Sequence, residues 1–84
     1  MASYTFPAAT QVRETARRHF SGLSNLILLV VNVADHDERL RWEPSRGGDL
    51  FPHFYGELRL DHIDESFDLY LDPSGEHRFP SFVP

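Results

Sequence analysis

Phe51, His53 and Tyr55 occupy alternate positions in residues 50–58, LFPHFYGEL. If residues 50–60 are extended, a period of two sends Phe51, His53, Tyr55, Glu57 and Arg59 to one side. An imidazole and a phenol then lie side by side, with an aromatic ring before them and a charge pair after them. Such a surface can stack a planar ring and hydrogen-bond a polar ligand. Leu50, Pro52, Phe54, Leu58 and Leu60 point the other way, as a core face. Pro52 cannot donate to a ladder, which places it at a strand start or on an edge strand. Gly56 permits a bulge or a close approach by a ligand. The alternative is structural: Phe51 and Tyr55 pack under a loop and His53 bonds a carbonyl. Arg41, Trp42 and Arg46 complete the ligand-binding set, the two arginines as partners for a phosphate.

Other polar groups offer less. Asp35, His36 and Asp37 are adjacent and cannot converge on one ion, so no metal site is expected. The RGG of residues 46–48 lacks the spacing of a phosphate-binding loop and does not open a helix. No Ser-His-Asp order or catalytic carboxylate pair is visible. Glu43, Glu57 and Glu65 cannot be ranked as a base without geometry, so the catalytic residues are unknown. His62 and His77 sit beside acids and read as surface residues.

The elements that must position these groups follow from pattern. Residues 10–21 read as a helix, with Val12, Ala16, Phe20 and Leu23 in one stripe, Thr10 as N-cap and Gly22 as stop. His19 borders that stripe. Residues 25–33, NLILLVVNV, are continuously apolar and suit a central strand covered on both faces. Residues 34–39 form a polar connection. Leu40 and Trp42 share one face of a short strand, and residues 43–49 form a loop. Residues 67–79 read as a hairpin with a type I turn at Asp72-Pro73-Ser74-Gly75. The expected class is α+β: one N-terminal helix packed on a small mixed or antiparallel sheet of four to five strands.

Eighty-four residues make a single domain, 1–84, with residues 1–8 poorly ordered. A chain of this length buries roughly 60–65% of the surface its unfolded state exposes, which leaves little surplus core. The absence of cysteine excludes disulfides and thiolate metal sites, and fits a reducing compartment. No signal peptide is visible, and the longest apolar run is too short to span a bilayer. A soluble, cytoplasmic protein without a membrane partner is expected. The net charge is −5, and all basic residues are arginines. Residues 1–42 carry five arginines against four acids, and residues 43–84 carry three against nine. An acidic C-terminal half argues against nucleic acid, whose phosphates need a clustered basic face.

The segments TQVRETARRHFSG, LILLVVNV, LRWEPSRGGDLFPHFYGEL and DPSGEHRFP resemble a bacterial family known as domain of unknown function 952. The similarity runs over about residues 8–84, and LRWE…G…LFPHFYG is its most specific part. The family has no established activity. Its fold is similar to the ADP-ribosyltransferase superfamily, whose members hold NAD with a His on one strand, an aromatic on another and often a catalytic Glu. The resemblance implies an NAD-like or nucleotide ligand near the FPHFYG segment. Family members also carry an N-terminal strand-and-helix segment and a Phe-Ile-His-Leu-Ser-like motif before the helix. Aligning Gln11 with the family's helix-start glutamine puts Thr5 at the histidine and Pro7 at the serine. A hydroxyl does not replace an imidazole that titrates near neutrality. The expectation is therefore weak or no ADP-ribosyl chemistry. A chain lacking the first strand would also leave an edge or core face uncovered, favouring marginal stability or a homodimer through an exposed sheet edge. The alternative function is that of a non-catalytic, shortened family member acting through protein contacts.

Overall fold

Arg13, Glu14, Arg17 and Arg18 form the exposed face of helix α1, Val12–His19, and Ala16 is buried on its other side. The structure, a computed structural model, describes residues 2–84 with the exception of the side chain of Arg46. The expected cap, Thr10, lies one position too early. Gln11 takes the N-cap position, and its amide works in both directions. It accepts from the Ala8 N–H (2.9 Å) and donates to the Leu50 carbonyl (2.8 Å), which ties the helix start to the sheet. Gly22, at φ 76°, supplies the left-handed residue just after the helix, as the stop signal predicts. The expected stripe is only partly used, because Phe20 and Leu23 are exposed.

Five strands are formed among the described residues: β1 (Tyr4–Thr5), β2 (Leu26–Val31), β3 (Leu40–Pro44), β4 (Leu50–Phe54) and β5 (Ile63–Leu69). They make two small antiparallel sheets where one was expected. The first has the order β1-β4-β3, and the second pairs β2 with β5. The helix packs against these two sheets, and the α+β description holds. No described helix is long and apolar enough to cross a membrane.

The split has a local cause. Residues 50–60 do not run on as one strand; β4 ends at Phe54, and Leu60–His62 form a 3-10 turn. Leu60, expected on the core face, is 88% exposed. Phe54 is fully buried and organises this corner. The Arg39 guanidinium lies 4.9 Å above its ring, and the His62 ring meets it edge-on at 5.5 Å. A Cβ on Gly56 would stand 3.0 Å from Arg39 Cδ, so the glycine lets Arg39 lie close. The chain therefore turns around Phe54 and enters β5 in a different layer.

Strand β2 is not central. Among the described residues it has a neighbour on one side only, and its apolar side chains alternate between half-buried Leu26, Leu28 and Val30 and exposed Ile27 and Leu29. A continuous apolar run reads as doubly covered, but here one face stays open. Beyond β5, the turn at Asp72–Gly75 is closed by Gly75 N–H donating to the Asp72 carbonyl (2.9 Å). The hairpin is shorter than expected, because β5 pairs with β2 and the return arm adds the Leu71–His77 bridge, flanked by the Asp72 N–H to Glu76 carbonyl and Arg78 N–H to Tyr70 carbonyl bonds. His77 is buried instead of lying on the surface. Its Nε2 donates to the Leu23 carbonyl (2.7 Å), which satisfies the ring inside the protein. His62 is likewise half-buried against Phe54, and its Nδ1 accepts from the Arg59 N–H.

Candidate functional site on the three-stranded sheet

Register in the three-stranded sheet determines which side chains share a face. Thr5 and Arg41 both stand opposite His53, one from each neighbouring strand, so Thr5, His53 and Arg41 form one row. Glu43 stands opposite Phe51 in the next row. Directly opposed residues in an antiparallel ladder point to the same face. Thr5, Arg41, Glu43, Phe51 and His53 therefore share one side of the sheet.

Tyr55 follows the strand by one residue yet keeps its alternation, because its N–H donates to the Arg39 carbonyl (2.8 Å). Its hydroxyl donates to Glu43 Oε1. The His53 and Tyr55 rings lie nearly parallel, with centroids 6.3 Å apart and 14° between planes. The sequence pairing of imidazole and phenol is thus realised, with a carboxylate beside it.

Polar contacts set the state of each group. His53 Nδ1 donates to the Phe51 carbonyl (2.8 Å). A carbonyl only accepts, so this bond fixes the proton on Nδ1 and leaves Nε2 as the acceptor of the neutral ring. The Tyr55 phenol is held above its ordinary pKa of 10. The bond to Glu43 is the largest cause, burial and the Glu43 charge add to it, and Arg41 opposes it. Arg41 thus stands close enough to act on the phenol. His53, Tyr55, Glu43 and Phe51 are half-buried, while Thr5 and Arg41 are exposed.

Other predicted site residues lie elsewhere. Trp42 is opposite Pro52 and therefore on the reverse face, 53% exposed. The side chain of Arg46 lies outside the described residues. Glu57 is exposed beyond the end of β4, and Glu65 belongs to the other sheet. Geometry thus singles out Glu43 among the three glutamates. It was legible only in part: period two in LRWEP puts Arg41 with Glu43, but placing them beside His53 requires the register across residues 45–49. The Ser45 N–H to Asp49 carbonyl bond (2.9 Å) closes that loop.

A cleft of about 710 Å³ opens beside this face. Thr5, Phe6 and Phe51 form one wall, and Val12, Ala16 and Leu28 contribute to the others. Its size falls in the range of small-molecule pockets, about 300–1,000 Å³. Phe51 and Thr5 belong both to the cleft and to the polar face. Among the described residues no group of His, Asp and Glu is arranged to hold a metal ion.

Comparison with known proteins places the chain in a family. A family model described as protein of unknown function (DUF952) matches residues 6–66. The crystal structure of protein CC0527 from Caulobacter crescentus is 39% identical, with a TM-score of 0.78, over 90% of this chain and 67% of that one. The solution structure of CC0527 is 42% identical, with a TM-score of 0.77, over 86% and 62%. No curated protein matches. The chain belongs to the DUF952 family.

Proposed function

We propose that this DUF952 member binds a small nucleotide-like ligand on the face of its three-stranded sheet. The observation that carries the reading is the row Thr5–His53–Arg41, with Glu43, Phe51 and Tyr55 alongside. Each group has a role that its chemistry suits. Arg41 meets an anionic group such as a phosphate. His53 Nε2 accepts from a hydroxyl or amide, and Thr5 offers a second hydroxyl. Phe51 and the parallel rings of His53 and Tyr55 give flat apolar surface for a planar base. The neighbouring cleft has room for the rest of the molecule.

The resemblance of the family's fold to the ADP-ribosyltransferase superfamily makes an NAD-like molecule the ligand to try first. The reading is one of binding rather than turnover, because Thr5 holds the place where that resemblance expects a histidine. Following backbone amides while adding NAD or ADP-ribose tests it. Shifts at Thr5, Arg41, Glu43 and residues 51–55 are expected. If those amides stay still at millimolar ligand, the site reading is wrong. A second reading, action through protein contacts without a ligand, is favoured by the number of large apolar side chains left exposed, Ile27, Leu29, Trp42 and Leu50 among them.

A further inference from the structure

The chain exposes 6249 Å². A folded monomer of its mass, 9.7 kDa, is expected to expose about 5,100 Å². The excess, about 1,100 Å², is more than the roughly 800 Å² that each partner buries in a standard protein interface. The excess is enough to accommodate one such interface.

The place where this surface is most self-complementary is β2. Six consecutive apolar residues, Leu26–Val31, pair with β5 on one side and have no strand on the other among the described residues. Ile27 is 61% exposed and Leu29 is 48% exposed on the same face of the strand. An edge of this kind is usually defended by charge, proline or brevity. The remaining edges are so defended: β1 has two residues, β3 carries Arg41, Glu43 and Pro44, and β5 carries Asp64, Glu65 and Asp68. From Phe20 to Ala34 the chain bears no Asp, Glu, Arg or His.

We infer that β2 is a dimerisation edge, and that its partner is β2 of a second copy of this chain. The charge pattern selects that occupant. The protein carries a net −5, concentrated in its C-terminal half, so most ways of bringing two copies together oppose like charges. Antiparallel pairing of β2 with itself brings together six consecutive apolar residues that carry no charge. A two-fold axis normal to the sheet and passing midway between the two Leu28 residues keeps each face aligned with itself. Ile27 then lies opposite the second copy's Leu29, and Leu29 opposite its Ile27. The two-stranded sheets merge into one of four strands, β5-β2-β2-β5, with the acidic strands at the outer edges. The contact is isologous and closes, which stops it from growing into a fibre.

This inference uses the open edge of β2 and not the polar row on the three-stranded sheet, although Leu26, Ile27 and Leu28 also line the neighbouring cleft. The test is light scattering behind size exclusion, from micromolar to near-millimolar protein, with amide exchange on the same samples. The expected results are a dimer mass and slowed exchange at β2 that deepens with concentration. Leu29→Lys and Ile27→Lys should each give a monomer. Trp42→Lys, which charges an exposed apolar side chain on the other sheet, should leave the dimer intact. If Leu29→Lys does not fold, Leu29→Thr keeps the strand propensity and should still raise the dissociation constant at least tenfold. A wild-type monomer at near-millimolar concentration overturns the inference. So does a dimer whose β2 amides exchange freely, or one that Trp42→Lys dissociates while Leu29→Lys does not.

Discussion

His53 has one nitrogen committed and one left for chemistry. With Nδ1–H donating to the Phe51 carbonyl, Nε2 is the atom that a ligand would meet. Replacing His53 by Ala should therefore weaken the proposed nucleotide binding without unfolding the sheet, since the lost backbone bond is local. One hydrogen bond is worth about 0.5–1.5 kcal/mol net, which is roughly two- to tenfold in Kd. Titration calorimetry or amide shifts would measure it, and an unchanged Kd would remove His53 from the site. Tyr55 supplies a second check. Its raised pKa arises first from donating to Glu43, so the folded state favours the phenol form. The associated stability is complete below the ordinary phenol pKa, near 10, and is lost as pH rises through the higher folded value. Following phenolate absorbance, one of the three tyrosines should ionise last in the wild type. That late component should disappear in Tyr55→Phe, and should move toward 10 in Glu43→Gln, where the carboxylate charge is gone.

At the scale of elements, Phe54 joins the strand that carries the site to the turn that separates the two sheets. It is fully buried beneath Arg39 and beside His62. Truncating it to Ala should cost about 3–5 kcal/mol. A chain of this size has only about 4–13 kcal/mol in total, so Phe54→Ala should show a much lowered or broadened thermal transition, and Phe54→Leu an intermediate one. Its burial was legible from alternation in LFPHF, as were the helix, the turn at Asp72–Gly75 and the pairing of His53 with Tyr55. What was not legible depended on long-range partners. LILLVV has the composition of a central strand, and nothing within it says that only β5 will pair with it. His77 looked like a surface residue because the carbonyl that satisfies it belongs to Leu23, 54 residues earlier. Thr5 appeared as a substitute for a missing histidine; that it stands opposite His53 emerged only from the β1–β4 register. Local periodicity thus gives the faces of each strand, while the company each face keeps is decided by ladders between distant segments.

At the scale of the whole molecule, acid acts through two loop carboxylates and concentration through the edge of β2. Asp37, bound to Arg39 through both carboxylate oxygens, is held well below the usual carboxylate range. Asp72 is lowered too, by the Ser74 hydroxyl first and then the Glu76 N–H. A depressed folded pKa contributes stability above the unfolded value, near 3.8, and loses it as pH falls through the folded value. Thermal midpoints should thus fall progressively below about pH 4, and less steeply in Asp37→Asn, whose starting stability is lower. Concentration gives the sharper test. If a second β2 stabilises the folded chain, unfolding of the dimer is linked to its dissociation. For that event each tenfold rise in protein adds about 1.4 kcal/mol to apparent stability. Thermal midpoints of the wild type should climb with concentration, whereas those of Leu29→Lys should be lower and flat. A wild-type midpoint that does not move over a hundredfold range would show that the chain folds on its own. The extra surface would then be exposed at no cost to folding, and β2 would be an open edge that the protein tolerates.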